Sequence, residues 1–428
     1  MADRDSFQSS TTTIVEPLRL SFRTTLFLTF SFLLIVSLPG CSGCFDSTPP
    51  GDDPEEDRKK LAKKKPKEDF DRPELKVLPH DDRPSSNFIK PGHWVNGSTR
   101  LKANNFVFRG ELFAQTTNKS GQAVEIPGTD YLFASNRPIA LPKGQERWSD
   151  VTYFVPRVGN NADKSRWFSC RLRSRGGGRD VITEVLPTTR LYAHQFYVVV
   201  LASTADDFQF INTLDSTKPL YAAAMNIEEI APHYRVVYPK VLDRVPLPEN
   251  SLTWTSIAYI VWDDIDPNVM TLVQQQAMID WLHWGGQLII SGPSSLDTLK
   301  ISFLADYLPA ESAGNLELGQ AKFDEWNKVF VKEERVLEDN RFVSRRFEVD
   351  VKDGPVRGVD LKLHEDADFV ANTGGLIAER RLGRGRITVT AFQLKDPRIC
   401  KNWKNFDNLW NNAILRRPPR KFRSTDNA

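Results

Sequence analysis

The sequence predicts an α/β chain, a doubly wound parallel sheet preceded by an all-β, sandwich-like domain. Continuous apolar runs such as Phe196–Leu201, Ile257–Trp262 and Leu288–Ile290 alternate with helical patterns, as expected of strands buried on both faces. Between residues 91 and 192, short β-branched and aromatic runs alternate with turn signals and show little helical period. Ahead of both, composition breaks at about residue 90. The 428 residues carry net charge +2, with 40% hydrophobic and 11% aromatic content. Those values exclude wholesale disorder and supply no global field for nucleic acid. Four cysteines exclude a disulfide scaffold.

Residues 1–41 read as an export leader. Arg19 and Arg23 precede the uncharged run Thr24–Leu38. Leu38-Pro39-Gly40-Cys41 resembles the lipobox of bacterial lipoproteins, with Pro39 in place of the usual small residue. That resemblance implies that Cys41 is acylated and becomes the new N-terminus; Cys44 is a bystander. An uncleaved anchor is the alternative, since Thr24 to Phe45 could span a bilayer at ~20 residues; a soluble secreted form is the third. All three place residues 45–428 outside the cytoplasmic membrane, and the expected localisation is the cell envelope, membrane-anchored, facing the periplasm or exterior. The expected partners are the membrane, through lipid or N-terminal helix, and an envelope protein. Residues 42–90, rich in Pro, Asp, Glu and Lys, read as a disordered tether.

The β-rich domain, 91–192, is expected to hold strands at 105–114, 150–156 and 167–172, with Cys170 as an inward core thiol. The arginines around Gly176–Gly178 read as a solvated hairpin tip, because no helix start follows to cradle a phosphate. In the α/β domain, 193–415, Phe196–Leu201 leads to a helix capped by Ser203 or Thr204. Strands follow at 234–238 and 257–262. Asp266 and Pro267 read as the start of a helix whose core face is Met270, Val273, Ala277, Trp281 and Trp284, stopped by Gly285-Gly286. Residues 300–370 read as an insertion. A hairpin at 376–392 closes the sheet, a short helix spans 404–415, and 416–428 form a basic tail.

Trp281–Gly292, WLHWGGQLIISG, resembles the helix–GG–strand–elbow of class I glutamine amidotransferase-like domains, closest to their ThuA-like branch. The late hairpin ERRLGRGRITVTAF also fits that branch. Lys90–Trp94, WTSIAYIVWDD, DWLHWGGQLIISGP and LRRPPR are similar to uncharacterised envelope proteins of planctomycete-type bacteria. The resemblance implies a flavodoxin-like, amidotransferase-like sheet. It also exposes a departure: the family elbow carries a nucleophilic cysteine, and here the elbow reads Ile290-Ser291-Gly292-Pro293-Ser294. The family's late His-x-Glu is missing as well.

The expected reading is therefore a non-enzymatic binding or scaffolding module. The alternative is an exported serine hydrolase with Ser291 or Ser294 as nucleophile and His283 or His364 as base. Gly292–Leu296 lacks the second glycine of a G-x-S-x-G elbow, and Pro293 removes an N–H from any oxyanion hole. Asp263, Asp264, Ser291 and Gly292 form the candidate ligand edge, where open α/β sheets bind. The calcium-loop spacing fails at Val269 and Gln275, so no metal is expected; nor is a cofactor.

Overall fold

The computed structural model describes residues 68–81, 87–157, 166–176, 178–217, 233–242, 244–352 and 354–417. The expectations for the leader, Cys41, most of the tether and most of the basic tail fall outside the described residues. The fold is mixed α/β, mostly strands, arranged in several sheets.

The first region contains β1 (Glu74–Leu78), β2 (Phe88–Ile89), β3 (Trp94–Lys102), β4 (Phe108–Thr117), β5 (Ala134–Leu141), β6 (Glu146–Phe154), β7 (Trp167–Ser174), β8 (Asp180–Pro187) and β9 (Thr189–Arg190). A three-stranded antiparallel sheet, β1-β3-β6, and a four-stranded one, β5-β4-β7-β8, close over one apolar core. Val77, Val95, Val151 and Tyr153 meet Leu112, Phe168, Cys170 and Leu172 there. Cys170 faces inward, and the turn after β7 is a hairpin tip.

β1 corrects the tether boundary. Residues 74–78 lie within the segment expected to be disordered, yet they pair with β3 in unbroken register. Charge and proline dominate the local composition, but Phe70, Leu75 and Val77 supply enough apolar surface to seat the strand on the core. The remaining expected strands shift by a few residues at their ends, where turn chemistry fixes the limits.

The second region is built on β10 (Phe196–Ala202), β11 (Tyr234–Val237), β12 (Ile257–Asp263) and β13 (Gln287–Ile290). The inserted residues carry β14 (Ala310–Leu318), the hairpin β15 (Glu333–Glu338) and β16 (Arg341–Arg346), then β17 (Val356–Leu363) and β18 (Ala367–Phe369). β19 (Ile377–Leu382) and β20 (Gly385–Thr390) follow. A seven-stranded sheet has the order β11-β10-β12-β13-β20-β19-β18. Its first five strands are mutually parallel, and β19 and β18 are antiparallel additions at one edge. Insertion strand β18 thus belongs to the main sheet.

Two helical expectations are corrected. The segment after β10 is a 3-10 helix, Ala205–Thr213, and Thr204 gives its N-terminus no side-chain cap. Asp266 and Pro267 open only one 3-10 turn. The long helix, α1 (Leu272–Trp284), has its own start: Thr271 and Gln274 form a reciprocal capping box. Its buried face is Gln274, Ala277, Met278, Trp281 and Leu282, while Val273 is 56% exposed and Trp284 50%. The helix ends as expected at Gly285, whose φ of +127° suits glycine. A short helix, α2 (Ser294–Leu299), follows the elbow.

Candidate functional site

β10, β12 and β13 run parallel, so their carboxyl ends share one edge. β11 and β12 flank β10 on opposite sides, which puts the strand-order reversal, the usual ligand crevice, at this edge. The residues brought there are Ser203 and Thr204 after β10, Asp263 and Asp264 at the end of β12, and Ser291 and Gly292 after β13.

Asp263 is fully buried. Its Oδ2 lies 2.8 Å from Lys395 Nζ, but neither carboxylate oxygen has a partner of hydrogen-bond geometry. The attraction is therefore between charges rather than along a directed bond. Lys395 Nζ donates to Thr204 Oγ1 at 3.1 Å, and the Thr204 hydroxyl donates to Asp207 Oδ2 at 2.7 Å. Lys395 thus closes the crevice over the buried carboxylate. Asp264 is exposed, in the left-handed region at φ +54°, and its N–H donates to Ser295 Oγ at 2.9 Å. As an open acidic edge the pair fails, because Asp263 is already neutralised. Among the described residues, no group of three or more His, Cys, Asp or Glu could hold a metal ion.

The elbow is equally closed. Ser291 is fully buried; its N–H donates to the Trp262 carbonyl at 2.9 Å and its hydroxyl accepts from Leu394 N–H at 3.0 Å. The Gly292 N–H donates to Thr390 Oγ1 at 3.3 Å. A Cβ at Gly292 would stand 2.2 Å from the Thr390 carbonyl oxygen, so only glycine fits this approach. Pro293 has no N–H. Ser291, Gly292 and Pro293 therefore offer no free backbone N–H to an oxyanion. Ser294 is half-buried in the first turn of α2.

Neither candidate base reaches these serines. Among the described residues, no histidine hydrogen-bonds Ser291 or Ser294. His283 is exposed in the last turn of α1, on the side from which β13 starts. The four residues of β13 separate it from the elbow, about 13 Å at ~3.3 Å per residue. His364 follows β17, where its N–H donates to the Pro309 carbonyl at 3.0 Å. Both described cysteines are buried, and burial pushes each thiol up to about 12, the reverse of nucleophile activation.

The sequence reading missed Lys395, Leu394 and Thr390, which occupy the groups expected to react or bind. The available signal was a lone lysine shortly after the last parallel strand, at the edge where the buried aspartate ends.

No protein-family model matches the sequence, and no curated protein matches it. Among solved structures, a cytoplasmic protein from Salmonella typhimurium is similar at 13% identity and TM-score 0.31, covering 59% of this chain and 95% of that one. An exo-β-1,4-mannosidase from an Opitutaceae bacterium is similar at 13% identity and TM-score 0.28, covering 53% of this chain and 37% of that one. The sporulation control protein of Bacillus subtilis is similar at 12% identity and TM-score 0.19, over 28% of this chain and 50% of that one. At these scores the likenesses carry no argument about chemistry.

Proposed function

We propose that this chain is a membrane-anchored envelope protein whose amidotransferase-like α/β unit lacks a reacting centre and serves as a binding or scaffolding module. The carrying observation is the elbow: its buried serine accepts from Leu394 N–H, and its glycine N–H is held by Thr390. The parallel strand order supports reading the sheet as a doubly wound, flavodoxin-like one. Attachment through acylated Cys41 or an N-terminal helix rests on the leader motif alone. A fold without its site residues gives no warrant for an activity. The serine-hydrolase alternative gains nothing from the geometry.

A fluorophosphonate probe tests the reading. The full chain is expected to remain unlabelled at Ser291 and Ser294 after prolonged exposure. Stoichiometric labelling of either serine, abolished by its alanine substitution, would establish a nucleophile and overturn the proposal.

A further inference from the structure

Strand alternation gives the β1-β3-β6 sheet two faces. Val95, Gly97, Thr99 and Leu101 of β3 face the sandwich core, whereas Trp94, Asn96 and Ser98 face away from it. Register puts Phe154, Thr152 and Asp150 of β6 opposite these three. This outer face meets the α/β region across a seam. The other wall is the loop Glu249–Leu252 and one side of α1, where Val273, Gln276, Ala277 and Asp280 follow helical spacing.

The seam is not filled. Two adjoining hollows of about 390 Å³ and about 520 Å³ share Arg137, Asp150, Thr152 and Asn250. Trp94 and Phe133, edge to face at 5.1 Å, line the far end of the first. Asn96 lines the second; it is 2% exposed, and its Nδ2 is buried with no hydrogen-bond partner. A buried amide donor left without an acceptor costs free energy, and its residue lines the second hollow. A ligand oxygen drawn in beside it would supply the missing acceptor.

We infer that this seam is a binding groove for a neutral oligosaccharide, with Trp94 and Phe133 as an apolar platform and Asn96 as a donor to a sugar oxygen. The polar part of the remaining lining is amide, hydroxyl, carboxylate and one guanidinium, able to pair with the donors and acceptors of sugar hydroxyls, while Ala134, Val151, Leu252, Val273 and Ala277 add apolar surface. Asp150, Glu249 and Asp280 outnumber Arg137, which disfavours phosphate, uronate or an acidic peptide. Along β3 and β6 the floor runs about 14 Å at ~3.4 Å per residue, room for a short oligosaccharide. None of the lining residues is among those at the parallel-strand edge, so the groove does not depend on the state of the elbow.

Calorimetry and tryptophan fluorescence on the full chain, titrated with chitohexaose, cellohexaose and maltohexaose, test the inference. Saturable binding of at least one sugar is expected, with Kd about 1 mM or tighter. Asn96→Ala is expected to weaken it about tenfold while leaving the melting temperature unchanged or higher, because the amide has no partner to lose. Gln276→Ala, on the helix wall, is expected to weaken it as well. No saturable binding of any of the three at about 10 mM would overturn the inference. Binding indifferent to both substitutions would overturn it too, as would saturable binding of a neutral hexapeptide in place of the sugars. A pseudo-enzyme scaffold can fail this test and a hydrolase can pass it, so the two proposals stand or fall separately.

Discussion

Asp263 and Lys395 illustrate how one residue decides the character of the sheet edge. A fully buried carboxylate is tolerable here only because a cation stands 2.8 Å away. Removing the lysine charge by Lys395→Met is expected to destabilise the protein by about 3–5 kcal/mol, since an uncompensated charge remains. The paired replacement Asp263→Leu with Lys395→Met is expected to recover most of that loss. Urea unfolding of the single and double variants checks both values. If the single variant costs under about 1 kcal/mol, the carboxylate is solvated and the edge is open after all.

At the scale of elements, α1 shows what the sequence made readable and what it hid. Its existence, its glycine stop and the strand that follows were all visible, because apolar period and glycine conformational freedom are local properties. Its buried face is legible in part: Ala277 and Trp281, with Met270 just ahead of the helix, are buried as the spacing predicts, but Val273 and Trp284 are half exposed, and the polar Gln274 is buried instead. Gln274 Oε1 accepts from Thr271 N–H, while its Nε2 donates to the carbonyls of Val245 and Leu247 at 3.0 and 2.8 Å. Those partners lie about 30 residues upstream, so no local pattern announces them. Gln274→Ala is expected to cost about 3 kcal/mol by leaving the buried Leu247 carbonyl without a donor and taking one of two donors from Val245. Thr271→Ala should cost only about 1 kcal/mol, the loss of a cap. Equilibrium denaturation separates the two, and equal costs would refute the clamping role of Gln274. The candidate site was hidden for the same reason. Ser291 and Gly292 were correctly located after a strand, but the groups that occupy them come from Thr390 and Leu394, a hundred residues away. Likewise β1 was concealed by charged neighbours, because a strand that relies on a distant core needs few apolar residues of its own.

The whole molecule depends on a junction between the β-rich region and the α/β region. Lys90, 3% exposed, donates from Nζ to the Gln195 carbonyl at 2.6 Å and lies 3.1 Å from the Phe196 ring centroid. Burial lowers its amine to about 8. Close by, the His93 ring pairs with Thr255 Oγ1 at 3.1 Å, and burial, with the charges of Lys90 and Arg157, holds its imidazole down to about 4. Between pH 4 and 6.5 the unfolded chain carries a proton on this histidine that the folded chain does not. Its contribution therefore makes stability rise with pH through that window. His93→Gln is expected to flatten that part of the profile, measured by denaturant unfolding at several pH values. An unchanged slope would show that the imidazole titrates alike in both states.

The position of β20 in the sheet has a consequence for how the protein is made. β20 pairs with β13, although residues 291–384 separate them in the chain. A ribosome adding roughly 5–20 residues per second synthesises that intervening stretch over several seconds. Throughout that interval β13 has only β12 as a neighbour, and the elbow has neither the Thr390 hydroxyl nor the Leu394 amide to satisfy it. The central sheet is thus completed only once residues 385–390 have been made. During that delay the nascent chain carries an unpaired apolar strand edge, a template for pairing with another chain until β20 covers it.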